Sequence, residues 1–228
     1  MANNSIKPVT HVLFDMDGLL LNTEVVYEKV FQDVTSKYGK MVTPEVRTKL
    51  VGTSEHAACE ICVKELNLNV SLEVFVKDFH ALSQERLPSA DFLPGAEGLV
   101  RHLHSNNIPI CVASGSCKES VEVKVLRHQE VFKLFNHIVN GSEVKHGKPE
   151  PDVFFLAASR FDPKPEPSNC LVFEDSFPGV QAALSAGMQV VMVPGPHIPE
   201  EKRAKATLAL NSLEDFKPEL FGLPPFTS

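Results

Sequence analysis

The sequence predicts an α/β protein, an open parallel sheet with a small all-helical block inserted after its first strand. Three observations carry this. Short apolar, β-branched runs recur along the chain, and most lack polar alternation, as strands buried on both faces do. Helical patterns separate them, which implies parallel pairing through crossovers. Only the interval 23–88 breaks the rhythm, with three or four helical patterns and no convincing strand.

In chain order, His11–Phe14 is the first strand, an apolar run that ends in Asp15-Met16-Asp17-Gly18. Within the insertion, Val26, Val30 and Val34 recur every four residues beside Phe31 and Tyr38, and Gly39 closes that helix. Thr43-Pro44 and Ser71 are placed to cap later helices. In the last of these, Leu72, Phe75, Val76, Phe79 and Leu82 make one stripe. The joints of the insertion fall at Gly18–Asn22 and Pro88–Pro94, so residues 1–22 and 89–228 are expected to form the core and 23–88 a separate domain. Beyond it, strands are expected at Ile108–Ala113, His137–Val139, Cys170–Phe173, Val190–Val193 and Thr207–Leu210. Helices are expected at Gly95–Ser105, Asp152–Phe161 and Pro178–Ala186, the last with Pro in its first turn and Gly187 just past its end. The Pro163–Pro167 stretch reads as a stiff surface loop.

Composition narrows the function classes. The chain has 228 residues, 43% hydrophobic and 22% charged, with a net charge of −7 and no long basic block. This argues against a nucleic-acid surface, so a phosphate-bearing ligand must be held by local positive features. No stretch approaches the ~20 apolar residues of a membrane span. The first eight residues lack the apolar core of a secretory signal. Cys59 and Cys62 form a lone C-x-x-C in a helical pattern, with no second pair at zinc-finger spacing and no strand-to-helix turn for redox chemistry. A reducing, cytoplasmic setting is expected.

Candidate chemistry sits at the ends of the strands, where open α/β sheets bind ligands. Side chains alternate along a strand, so Asp15 and Asp17 can project to the same side. Two carboxylates at the mouth of a buried strand call for a cation between them, and Mg²⁺ is the usual hard cation with oxygen ligands. One carboxylate is then available as nucleophile and the other for proton transfer. The competing reading is an ordinary Asp-Gly turn. Ile108–Ala113 runs into Ser114-Gly115-Ser116, which offers hydroxyls and backbone N–H groups to a phosphate. His146-Gly147-Lys148-Pro149 sets one lysine between Gly and Pro. Glu174-Asp175 follows the Cys170–Phe173 strand as a second acidic pair, with a helix cap as the competing reading.

The joint order is DxDG, a strand ending in Ser, a GKPxPD lysine, then a strand ending in ED before a Gly- and Ala-rich helix. It resembles the haloacid dehalogenase superfamily of phosphohydrolases over nearly the whole chain. The resemblance implies a Rossmann-like core, a mobile helical cap at 23–88, and action on a small phosphomonoester with Mg²⁺; composition places the chain among soluble globular proteins, and a monomer is expected. Carried over residue by residue, Asp15 is the nucleophile and Asp17 the general acid/base. Ser114, Gly115 and Ser116 bind the phosphoryl group, and Lys148 neutralises it. Glu174 and Asp175 hold Mg²⁺ with Asp15 and the Asp17 carbonyl. One departure is Asn22, where the family pattern often has Asp. Family phosphatases for FMN, glycerol phosphate and deoxysugar phosphates share these motifs. The β-phosphoglucomutases of the same fold present a cap His, and an Arg after a Gly-x-Ser turn; Tyr27 and Glu55 stand at those positions here. A non-catalytic binding protein would be expected to have lost Asp15, Asp17 or Lys148, and none is lost.

Overall fold

The computed structural model describes residues 6–50, 53, 55–195 and 197–226. The elements are β1 (His11–Phe14), α1 (Thr23–Lys37), α2 (Pro44–Leu50), α3 (Glu55–Glu65), α4 (Leu72–Arg86), α5 (Ala96–Ser105), β2 (Ile110–Ala113), α6 (Lys118–Val125), α7 (Gln129–Phe132) and β3 (His137–Val139). They continue with α8 (Asp152–Ser159), β4 (Cys170–Glu174), α9 (Phe177–Ser185), β5 (Gln189–Met192), α10 (Glu200–Arg203) and β6 (Leu208–Ala209). Packing divides the chain into two compact units, Met1–Asn22 with Asp91–Ser228, and Thr23–Ala90.

The first unit is built on one sheet of order β3-β2-β1-β4-β5-β6. Every pairing is parallel, with Phe14 opposite both Val112 of β2 and Phe173 of β4. β1 is therefore central, and the chain leaves it first toward β2 and later toward β4. That reversal opens a crevice beyond the carboxyl ends of the strands. Val12, Leu13, Phe14 and all four residues of β2 are fully buried, which is why their sequence shows no polar alternation. On one face, Leu13, Cys111, Val139 and Val172 pack against Phe154 and Ala157 of α8 and Val180 and Ala183 of α9. Elsewhere in the core, Phe14 stacks on Phe173 at 5.0 Å, and Phe216 meets Phe173 edge-on at 4.8 Å.

Several boundaries differ from expectation for local reasons. β2 starts at Ile110 because residues 106–108 finish α5: Asn107 takes φ +57° and the Ile108 N–H returns to the Leu103 carbonyl. α8 stops at Ser159, since Arg160 and Phe161 fold back in tight turns onto the Ala157 and Ala158 carbonyls. Thr207 serves the β5 edge through its backbone and hydroxyl, which leaves Leu208 and Ala209 as the strand.

The second unit holds α1 to α4. Phe31 of α1 stacks on Phe79 of α4 at 4.4 Å, and Phe75 is fully buried beside them. The Arg86 guanidinium pairs with Asp33, and Tyr38 donates to Asp78 at 3.0 Å. Thr43 and Ser71 each accept a backbone N–H at 3.3 Å, from Val46 and Val74, as cap residues do. Cys59 and Cys62 are free and buried, and burial pushes both thiols up to about 12, which leaves them inert at neutral pH. No helix among the described residues is long and apolar enough to cross a membrane.

Candidate active site

Asp15 lies one residue beyond β1 and still belongs to the ladder, its N–H donating to the Phe173 carbonyl at 3.0 Å. The chain turns only afterwards: the Gly18 N–H meets the Leu21 carbonyl at 2.9 Å, and Leu20 and Leu21 both return to Met16. Asp15 is therefore held by the sheet, and the simple Asp-Gly turn does not describe it. Its side chain is buried, with 7% of the residue exposed.

Lys148 organises this buried corner. Its Nζ stands 2.5 Å from Asp15 Oδ1, 2.6 Å from Glu174 Oε1 and 3.2 Å from the Ala113 carbonyl. It also lies over the Phe154 ring at 5.1 Å. Glu174 is fully buried, and its other oxygen accepts from the Ser176 N–H and hydroxyl at 3.2 and 3.0 Å. Ser176 caps α9, accepting the Gly179 N–H at 3.1 Å, so the acidic pair before it does not serve as the helix cap. The backbone leaves room for the second of these carboxylates: Gly18, at φ +77°, has Asp175 Oδ2 only 2.3 Å from where a Cβ would sit.

Asp17 has different company. Its Oδ1 is 2.7 Å from Lys124 Nζ, and its Oδ2 accepts from the Ser116 hydroxyl at 2.8 Å. Lys124 also donates to Ser116 Oγ at 2.7 Å. Ser114, fully buried after β2, accepts the Ser116 N–H at 3.1 Å. Gly141 pins this loop, its N–H donating to the Ser116 carbonyl at 2.7 Å. The loop that carries Gly115 thus stands at the strand ends as expected, but the Ser116 hydroxyl is turned to Asp17.

Asp15, Glu174 and Asp175 each place a carboxylate oxygen within 4.8 Å of the others. Three carboxylates against one ammonium leave two negative charges in excess. Burial pushes the Asp15 carboxyl up to about 7; Lys148 pulls the other way, and Glu174 and Asp17 push with burial. Burial draws the Lys148 ammonium down, yet Asp15 and Glu174 together hold it above its usual range. Burial, helped by the neighbouring carboxylates, favours the proton on Asp15, and those carboxylates favour the ammonium of Lys148. An all-oxygen donor set with that surplus fits a hard divalent cation such as Mg²⁺.

All of the site residues marked in the sequence stand at the carboxyl ends of β1, β2 and β4 or on the loop before α8. Two that matter were missed. Lys124 lies in Val-Glu-Val-Lys-Val, where nothing marks a buried lysine. Gly179 looks like an ordinary helix-start glycine. In the helical unit, Tyr27 donates to Glu55 Oε1 at 2.7 Å, so the two residues expected at the positions of the mutase His and Arg are bonded to each other. Most of the Gly-x-Ser turn at 52–54 lies outside the described residues.

Comparison with known proteins agrees with the geometry. A family model for haloacid dehalogenase-like hydrolases matches residues 9–187. The "Probable pseudouridine-5'-phosphatase" of Drosophila melanogaster is 48% identical over 100% of both chains. The (DL)-glycerol-3-phosphatase 2 of Arabidopsis thaliana is 44% identical, over 96% of this chain and 93% of its own. The crystal structure of beta-phosphoglucomutase from Clostridium difficile superposes with a TM-score of 0.72 at 25% identity, covering 92% of this chain and 94% of its own. The motifs, the sheet order and these matches agree: the chain belongs to the haloacid dehalogenase-like hydrolases.

Proposed function

We propose that the protein is a Mg²⁺-dependent phosphomonoester hydrolase that works through a phosphorylated Asp15 and acts on pseudouridine 5′-phosphate. One observation supports the division of labour between the two aspartates. Though two positions apart, they have different partners: Asp15 faces Lys148, and Asp17 faces Lys124 and Ser116. Asp15 suits the nucleophile, since it is held by the sheet beside a cation. Asp17, whose side chain is 27% exposed, suits proton exchange with a leaving group and with water.

In the first step an Asp15 oxygen attacks phosphorus, the ester P–O bond breaks, and Asp17 gives its proton to the departing alkoxide. In the second, water attacks the acyl phosphate, Asp17 takes the proton, and phosphate leaves with Asp15 restored. Lys148 offsets the charge of the phosphoryl group, and Ser114 with the Gly115–Ser116 loop orients it. Asp15, Asp175, Glu174 and the Asp17 carbonyl would hold Mg²⁺, which when bound lessens the repulsion between a carboxylate and a phosphate dianion. The demand is large, since phosphomonoester hydrolysis is accelerated by up to ~10²¹-fold in enzymes. We assign choice of leaving group to the helical unit, as the family resemblance implies.

The substrate reading is supported by the full-length 48% match and by the tail LNSLEDFKPELFGLP, which has no general catalytic purpose yet resembles pseudouridine-5′-phosphatases. Glycerol 3-phosphate is the second reading, favoured by the 44% relative. Pseudouridine differs from uridine by a carbon-linked base with an additional ring N–H. A buried acceptor for that N–H would be left unpaired by uridine, at a cost of ~1–3 kcal/mol, or roughly ten- to a hundredfold in rate. The test compares kcat/KM for pseudouridine 5′-phosphate, uridine 5′-phosphate, FMN, glycerol 3-phosphate and 2-deoxyglucose 6-phosphate. Equal turnover of uridine 5′-phosphate, or a clear win for another phosphate, retires the pseudouridine assignment.

A further inference from the structure

A lysine with 0% side-chain exposure is costly to keep unless its charge is engaged. Lys124, near the end of α6, reaches Asp17 Oδ1 and Ser116 Oγ, both at 2.7 Å, and Ser116 in turn donates to Asp17 Oδ2 at 2.8 Å. The three side chains close a triangle, in which Lys124 forms an ion pair with one oxygen of the Asp17 carboxylate and the Ser116 hydroxyl bonds the other. A carboxylate held at one oxygen can still swing about its Cβ–Cγ bond, whereas one held at both cannot. The triangle also ties together three separate parts of the fold: the turn after β1, the loop after β2, and α6.

We propose that Lys124 and Ser116 are positioning residues that fix the Asp17 carboxylate in the orientation from which it exchanges a proton with the leaving group. The proposal rests on the reading of Asp17 as the acid/base of the hydrolase. Misplacing a reacting group by about 1 Å can cost on the order of a hundredfold, and a positioned acid contributes about 10²–10⁴-fold. Lys124 is not placed to touch phosphorus in this scheme and acts through Asp17, and the Ser116 hydroxyl is turned to Asp17 while the loop that carries it orients the phosphoryl group.

Leaving-group dependence separates positioning from a merely structural ion pair. An alkoxide leaves poorly without a proton, whereas dinitrophenolate leaves readily without one. In Lys124→Met, kcat/KM for the best alkyl phosphomonoester of the panel should fall by about 30- to 100-fold, through kcat more than KM, while dinitrophenyl phosphate loses only about threefold. Ser116→Ala should show the same selectivity at smaller size, about fivefold on the alkyl ester. Equal losses on both substrates in a folded variant would overturn the proposal. Should Lys124→Met fail to fold by circular dichroism, Ser116→Ala decides by the same criterion. Asp17→Asn separates the two levels. If it spares the alkyl ester, the reading of Asp17 itself fails. If it is selective while Lys124→Met and Ser116→Ala are not, only the clamp fails.

Discussion

Gly179 faces the Glu174 carboxylate so closely that a Cβ on it would stand 1.9 Å from Glu174 Cδ and 2.1 Å from Oε1. Glu174 has nowhere to retreat: it is fully buried, bonded to Lys148 through one oxygen and to Ser176 through the other. Gly179→Ala should therefore break the Lys148–Glu174 contact, lower stability by about 1–3 kcal/mol and reduce turnover at least tenfold. Gly98, on the exposed side of α5, meets nothing within 4 Å, so Gly98→Ala should raise stability by up to about 1 kcal/mol with activity unchanged. Thermal melts and initial rates of the two variants check both halves. Equal melting of Gly179→Ala and the parent protein would show that the helix start shifts freely.

Asp15→Asn keeps the shape of the side chain but cannot form an acyl phosphate. Turnover should fall by roughly 10⁴-fold or more, as loss of a nucleophile has cost up to ~10⁶-fold elsewhere. The metal-free variant should melt at or above the parent temperature, because the amide removes a buried carboxyl from a cluster already rich in negative charge. Substantial activity in the purified variant would exclude Asp15 as nucleophile.

Metal and proton should compete at Asp15. Its folded-state value is about 7, above the ordinary 3.8, so the metal-free fold binds this proton where the unfolded chain has released it. That contribution to stability is complete below about 3.8 and is lost as pH rises through about 7. A divalent cation must displace the proton, so the rise in Tm with saturating Mg²⁺ should be larger near pH 8 than near about pH 5.5. Asp175→Ala should abolish the rise, and chelator should abolish activity, restored by Mg²⁺ and poorly by Ca²⁺. A Tm shift independent of pH would show that Asp15 is not among the ligands.

Much of this was legible in the sequence because burial on both faces leaves an imprint. Val12–Phe14, Ile110–Ala113 and Cys170–Phe173 read as unbroken apolar runs, and the residues just past them carry most of the site. The spacing of Asp15 and Asp17 and the pairing of Glu174 with Asp175 survive as local pattern. Lys124 did not, because its burial is set by Asp17 and Ser116, which reach it only after the chain has folded. The crowding at Gly179 is likewise a long-range fact, set by a Glu174 rotamer that Lys148 and Ser176 fix. Strand ends were misjudged where a hydrogen bond overrides composition: Ile108 is as apolar as Ile110, but its N–H is already committed to Leu103.

His11 and His137 give the last expectation. Both rings stand edge-on to Phe161 with centroids at 4.7 Å, and the His137 Nε2 lies 2.9 Å from the Ala157 carbonyl. Burial lowers both from 6.5; at His137 the Ala157 bond opposes that only in part, and Arg160 adds to it. The fold thus favours the neutral rings. As pH falls below about 6.5 the unfolded chain takes up these protons first, so this contribution is present above that value and is lost as pH falls through the lower folded-state values. In the same interval Asp15 acts with the opposite slope in metal-free protein, which would mask the effect. The comparison therefore belongs in the Asp15→Asn background, by urea unfolding near about pH 7.5 and about pH 5.5. Stability there should fall on acidification, and His11→Gln with His137→Gln should flatten the dependence. An unchanged slope in the double variant would mean that these rings take up protons equally in both states.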